Sequence, residues 1–263
     1  MNVSSELYNF LLECKSDSQK IKLLNTDIID FLCKRKIIGN RLIDDDYIYE
    51  QQYITNQSSY QSEYLELVIA PTNDCNFRCF YCFEEGKKAE VMDAETIDAL
   101  FKFIYQHTEV KRLNITWYGG EPLLAFDVIK TILNRLKSDS KIQLEDHTIV
   151  TNGYLFNKDV VEFFKTFPLN SIQITLDGNK ERHDKIRCVR HTKTPTYDAI
   201  LNNIDLITTE LPNTHVNIRV NIEKKNAADY EQIKKMVATR WEGKNIRVYP
   251  GILRIDNETK TAL

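Results

Sequence analysis

No run in this 263-residue chain approaches the roughly eighteen apolar residues of a membrane span, and the amino terminus, MNVSSELYNF, lacks the basic-then-apolar order of a signal segment. A cytoplasmic protein with no membrane partner is expected. A basic excess is also missing: 35 Lys and Arg stand against 38 Asp and Glu, a formal charge of -3. Such a balance supplies no cationic stripe for a phosphate backbone, so nucleic acid is not an expected partner. Cysteine is sparse, with six in the chain and none after Cys188, which argues against a disulfide framework and for ligands or ordinary buried thiols. No Ser-His-Asp or paired-carboxylate pattern is readable, so the catalytic residues remain unassigned.

What is present is enough apolar material, 42% of residues, to bury a substantial core. Near residue 64 the pattern changes. Before it, Leu7, Phe10 and Leu11 and then Ile28, Ile29, Phe31 and Leu32 recur at helical spacing, and 44–53 is acidic and tyrosine-rich. Residues 1–63 therefore read as a small, mostly helical cap. After it, buried-strand patterns at 65–70, 113–118, 148–151, 171–176, 216–222 and 246–249 alternate with helical ones at 93–107, 124–136, 158–166, 197–211 and 229–240. Asp93 is a natural N-cap. About six β-then-α units imply a parallel α/β sheet, and periodicity allows either a barrel or a doubly wound sheet. Both architectures place functional residues at the carboxyl ends of strands, and the motifs fall there.

The strongest chemical signal is Cys75-Asn-Phe-Arg-Cys79-Phe-Tyr-Cys82, three thiols that can converge on one metal centre from a single loop. Random placement of six cysteines would give this spacing with a probability on the order of a few in a thousand. Structural zinc is the competing reading, but zinc sites are usually closed by a fourth nearby Cys or His, and this loop has none. A four-iron four-sulfur cluster with three protein thiolates instead keeps one iron open.

These residues resemble the radical S-adenosylmethionine (SAM) superfamily, whose signature is Cys-x-x-x-Cys-x-aromatic-Cys after the first strand, with Tyr81 as the aromatic. Further motifs extend the resemblance over residues 64 to about 222. Gly119-Gly120-Glu121-Pro122 is similar to the family's Gly-Gly-Glu motif, whose backbone and carboxylate hold the SAM amino group. Taken alone, the two glycines would read as a turn. Thr151-Asn152-Gly153 matches the third-strand Thr-Asn-Gly. Thr175-Leu176-Asp177-Gly178 with His183-Asp184 and Arg187 matches a Ser-Leu-Asp-Gly, His-Asp, Arg pattern, with Thr in place of the commoner Ser. By that match Thr175 contacts the SAM carboxylate or ribose and Arg187 pairs with the carboxylate, the alternative for Arg187 being a solvated surface charge. Asn221 matches a fifth-strand asparagine.

The resemblance implies a partial (β/α)6 barrel over 64–255 and two cofactors, a 4Fe-4S cluster on Cys75, Cys79 and Cys82, and SAM. It also implies reductive cleavage of SAM to a 5′-deoxyadenosyl radical, with electrons from a reductase, flavodoxin or ferredoxin. Within the superfamily, Ala70-Pro71-Thr72 ahead of Cys75 and Tyr81-Cys82-Phe83-Glu84 resemble peptide and protein maturases such as anaerobic sulfatase maturases. A peptide or protein substrate is the implied partner, with a leader segment on the helical cap or, alternatively, a cap that is a plain packing extension. Such maturases continue into a cysteine-rich SPASM region, whereas here 256–263 reads as a polar tail. A truncated product or fragment is expected, and a non-catalytic remnant or metal-binding module is the alternative to an active enzyme.

Overall fold

The computed structural model describes residues 5–16, 18–34, 37–38, 41–59, 63–82, 86, 88–139, 141–223 and 226–253. The polar tail and the motif residues Phe83 and Glu84 lie outside them. The chain divides into two compact units, Met1–Gln61 and Ser62–Leu263.

The first unit is helical: α1 (Ser5–Ser16), a 3-10 turn (Ser18–Leu23), α2 (Thr26–Lys34) and α3 (Arg41–Ser59). Helical spacing of apolar residues buries a stripe in α1 and α2, around Cys14 and Leu32, whereas residues 47–57 of α3 are exposed. In α2 that stripe centres on Leu32, 1% exposed, while its neighbour Phe31 is 47% exposed. The tyrosine-rich stretch falls within α3, where Tyr49 and Tyr53 are exposed.

In the second unit β1 (Tyr64–Ile69), β2 (Arg112–Trp117), β3 (Gln143–Thr151), β4 (Ser171–Leu176), β5 (His215–Ile222) and β6 (Ile246–Ile252) form one sheet. All five pairings are parallel and the order is β1-β2-β3-β4-β5-β6. A doubly wound sheet would reverse direction at a switch point. This one winds steadily one way, as a barrel does, and stays open between β1 and β6. Between the strands lie α4 (Ala94–Gln106), α5 (Phe126–Lys137), α6 (Lys158–Thr166), α7 (Lys180–Ile186), α8 (Tyr197–Glu210) and α9 (Ala227–Arg240).

Period-two alternation assigns the faces of the sheet. Leu113, Ile115, Trp117, Ile149, Ile172, Ile174, Val216, Ile218 and Val220 are 0–1% exposed and pack outward on Phe101, Ile132, Phe164 and Ile204 of the helices. Full burial of each such side chain stabilises by about 1.5–3 kcal/mol. The alternate residues face the concave interior and are mostly polar, Thr116, Thr148, Ser171, Gln173, Asn217 and Arg219, with Val68 and Val150 on the same face. Local signals start the helices as anticipated, with the Asp93 carboxylate accepting from Thr96 N–H at 2.8 Å and the Asn157 side chain capping α6.

β6 runs on to Ile252, and the two largest differences from the sequence expectation lie elsewhere. β3 begins at Gln143 rather than 148, since its first half is polar and half-exposed and carries no apolar run. The charged, seven-residue α7 is too short for a periodic signal and is started by the Asn179 cap on Arg182 N–H.

Candidate functional site

The β-to-α loops gather the motifs at the carboxyl ends of the strands. The loop after β1 is held from three sides. Thr72 Oγ1 donates to the Glu90 carbonyl at 2.6 Å and accepts from Asp74 N–H at 3.0 Å. An antiparallel bridge joins Phe77 to Val189, Arg190 N–H donates to the Asn76 carbonyl at 2.7 Å, and the Arg190 guanidinium meets Asp74 at 3.2 Å. The third side is Gly119-Gly120. A Cβ on Gly120 would overlap the Asp74 carbonyl oxygen and lie 2.7 Å from that of Asn73, and one on Gly119 would overlap the Thr72 carbonyl oxygen. Gly119 also has φ +108°, in the region that favours glycine. The close approach these glycines permit is thus that of the cysteine loop itself, secured by Gly120 N–H to Thr72 O at 3.1 Å and Glu121 N–H to Asp74 O at 2.8 Å.

All three signature thiols are free, with Cys79 buried and Cys75 and Cys82 half-buried. Phe77 N–H points at Cys75 Sγ from 3.4 Å, and Asn152 Nδ2 lies 4.0 Å from it. Burial pushes the Cys75 thiol up to about 12 and also raises that of Cys79, while the nearby Arg187 cation pulls both down. Thiolate ligation in such a place is favoured by a group that brings its own positive charge, which iron ions do. Among the described residues no three Cys, His, Asp or Glu side chains close around a single ion. The donor set fits a cluster whose thiolates attach to separate irons better than it fits a tetrahedral zinc.

Glu121, the carboxylate of the Gly-Gly-Glu motif, has three donors from the protein. It is 0% exposed, accepting from Leu123 N–H at 3.1 Å, Thr151 Oγ1 at 2.7 Å and Asn152 N–H at 2.7 Å. Burial raises its pKa against these three donors. The carboxylate therefore ties the second β-to-α loop to the third. Asn152, so held, turns its amide onto the Asn76 side-chain oxygen at 2.7 Å.

Tyr81 sits at a hydrogen-bonded junction. Its hydroxyl donates to Asp177 Oδ2 and accepts from Arg187 Nη1 at 2.7 Å and Asn221 Nδ2 at 3.2 Å. Arg187, 7% exposed, also pairs with Asp177 at 3.6 Å and lies over the Phe77 ring at 5.7 Å, so the solvated-charge alternative does not hold. Burial raises the Tyr81 pKa. Thr175 is buried at the end of β4, two residues before Asp177.

Four residues were not assigned roles from the sequence: Asn76, Asp177, His183 and Thr196. His183 Nδ1 accepts from Asp177 N–H at 3.3 Å, its Nε2 meets Thr196 Oγ1 at 3.2 Å, and that hydroxyl donates to the Arg187 carbonyl at 2.5 Å. Asp184 caps the backbone of Thr196 and Tyr197. The His-Asp pair thereby fixes both ends of the Asp177–Arg187 ion pair. The motif was visible in the sequence, but its task needed the coordinates.

A partial parallel barrel that carries three free cysteines on its first β-to-α loop, over a polar interior, defines a class of protein built to hold a metal cofactor at its mouth. Residues 69–237 match the Radical SAM superfamily, and the chain belongs to it. That family uses a 4Fe-4S cluster and SAM. The chain is 30% identical over 153 residues to a cysteine-type anaerobic sulfatase-maturating enzyme of Clostridium novyi (strain NT), covering 54% of this chain and 40% of that protein. It is 36% identical over 119 residues to a probable GTP 3′,8-cyclase of Methanococcus vannielii, covering 45% of this chain and 38% of that one. The chain thus spans well under half the length of these relatives. The fold is similar to that of anSMEcpe solved with bound AdoMet and Kp18Cys peptide, with a TM-score of 0.60 and 21% identity over 71% of this chain and 51% of that one. Among the described residues no helix is long and apolar enough to cross a membrane.

Proposed function

We propose that this chain is the core of a radical SAM enzyme that modifies a peptide or protein substrate, with Cys75, Cys79 and Cys82 holding the cluster. The observation that carries this reading is the cysteine loop: three thiols with no fourth ligand nearby among the described residues, clamped by Gly119-Gly120, Asn152 and Arg190 at the mouth of the barrel. When bound there, a reduced cluster and SAM supply a 5′-deoxyadenosyl radical capable of abstracting a carbon-bound hydrogen.

The chain's own residues orient and enclose. Buried Glu121 keeps the Thr151-Asn152 turn against the cysteine loop, and the Tyr81, Asp177, Arg187 and Asn221 network holds the third cysteine's neighbour in place. Gly119, Gly120 and Glu121 and the side chains of Tyr81, Thr151, Asn152, Thr175, Arg187 and Asn221 are the candidate SAM contacts. Tyr81 and Arg187 act through the geometry of the loop as much as by contact. A peptide substrate is supported by the likeness to a sulfatase-maturating enzyme, the helical unit is the candidate leader-binding element, and an external flavodoxin, ferredoxin or reductase is the electron source.

Anaerobic reconstitution with iron and sulfide, followed by dithionite and SAM, tests the reading by 5′-deoxyadenosine formation in the wild type and in Cys79→Ala. Product from the wild type alone supports it. Iron loading without product favours a non-catalytic remnant.

A further inference from the structure

Six arginines of the described residues, Arg112, Arg135, Arg182, Arg187, Arg190 and Arg240, each pair with a carboxylate. Arg219 and Arg247 do not, although both sit on the concave face of the barrel. Arg219 pairs across β5 and β6 with Tyr249, and Arg247 with Asn217 one step earlier, so the two cations are diagonal neighbours on one inward face. Each gives its Nε–H to an amide oxygen, Arg219 to Asn221 at 3.0 Å and Arg247 to Asn217. No carboxylate of the described residues lies within 4.0 Å of either guanidinium. Gly251 makes room for Arg219, since a Cβ there would meet Nη2 at 2.9 Å. A half-buried guanidinium such as that of Arg219 is ordinarily paired, while Arg247 beside it is exposed, and an amide on Nε orients each fork while leaving its outer N–H donors free for an oxyanion.

The position faces the chemistry. Asn221, which receives Arg219, donates through its amide to the Tyr81 hydroxyl at 3.2 Å, one residue from Cys82. Asp177, at this end of the barrel, is already engaged by Tyr81 and Arg187, so it does not neutralise the pair.

We infer that Arg219 and Arg247 form a substrate subsite that takes a carboxylate of the peptide, from an acidic side chain or a carboxyl terminus, and so set which residue reaches the cofactor. This rests on the peptide-modifying reading above and names its substrate class: acidic peptides. Tyr249, opposite Arg219 and hydrogen-bonded to Gln173, stiffens the same wall.

The test uses the reconstituted chain and a fluorescein-labelled octapeptide carrying two Glu residues, its Gln counterpart, and unlabelled GTP as competitor, read by anisotropy under anaerobic conditions. The wild type is expected to bind the Glu peptide about tenfold more tightly than the Gln peptide, as a charge-assisted bidentate contact allows. Arg219→Gln with Arg247→Gln removes that preference, and the paired Lys substitutions retain part of it, with iron content and circular dichroism verifying the fold. Failure of the Glu peptide to bind, equal binding of both peptides, or a preference that survives in the Gln variant overturns the inference. Displacement by GTP at lower concentration than by unlabelled Glu peptide also overturns it, assigning the cations to a phosphate. Scoring 5′-deoxyadenosine separately keeps the two readings apart: discrimination without cleavage sinks the enzymatic reading alone, and cleavage without discrimination sinks this one alone.

Discussion

Arg187 Nη1 donates to the Tyr81 hydroxyl at 2.7 Å across 106 positions of sequence, and both groups converge on Asp177. The contact locks the cysteine loop to the end of β4. Tyr81→Phe removes the hydroxyl's three hydrogen bonds but leaves the Arg187–Asp177 pair, and a loss of about 1.5–3 kcal/mol in unfolding free energy is expected. Arg187→Ala strands a buried carboxylate and is expected to cost more, about 3–5 kcal/mol. Anaerobic denaturant melts of both variants check the ranking, and the reverse order would mean that Asp177 is not carried as an anion.

Gly120→Ala is expected to fold yet load iron poorly. Its added methyl group overlaps the Asp74 carbonyl oxygen, next to Cys75, and the loop backbone has no flexible side chain to yield. Overpacking of this kind costs about 1–3 kcal/mol, here concentrated on the ligand loop. Iron per chain after reconstitution should fall well below that of Gly243→Ala, where a Cβ meets nothing within 4 Å. Equal loading would show that the loop adjusts freely.

Glu121→Gln tests the tie between the second and third loops. An amide in place of the carboxylate presents N–H to Asn152 N–H in one orientation and to Leu123 N–H in the other, so at least one of the three contacts is lost in a site that is fully buried. The expected loss is about 1–3 kcal/mol, with faster hydrogen exchange at Asn152 and Gly153. Unchanged exchange at those amides would contradict the assigned role.

Acid should destabilise this protein from about pH 6.5 downward. Burial and the nearby Arg187 hold the folded His183 pKa down to about 2, and burial lowers that of His147 to about 4, where its Nε2 accepts from Trp117. Between those values and the ordinary 6.5, the unfolded chain binds more protons than the folded one. Stability therefore rises with pH in that window, by at most about 1.4 kcal/mol per pH unit for each histidine. His183→Gln should lower stability at pH 7.5 and flatten the slope between pH 5 and 6.5 by up to one proton, measured by denaturant melts across pH. A slope identical to wild type would mean that His183 already charges in the fold.

Much of the core was legible in the amino-acid order because its signals are local. Fully buried parallel strands read as apolar runs, as at 171–176 and 216–222, and caps such as Asp93 lie three residues from the N–H groups they accept. The spacing of Cys75, Cys79 and Cys82 names a ligand loop before any fold is known. α7 and the first half of β3 escaped because their residues are charged or polar and their order comes from neighbours. The partners of Glu121 escaped for a related reason: Thr151 and Asn152 lie thirty positions on, and only the fold brings them to its carboxylate.

By itself the sequence determined the six strands and the alternation of helices between them, the three-thiol loop and the membership that its motifs declare. These depend on residue type and short spacing, which the chain carries along its length. Tertiary structure alone decided that the sheet winds one way into an open barrel, that Gly119-Gly120 seat the cysteine loop, and that Arg187 is buried against Tyr81 and Asp177 while no carboxylate of the described residues meets Arg219 or Arg247. Each of those facts depends on which distant side chains share a buried space, and pairing, desolvation and steric overlap arise only once the strands are side by side.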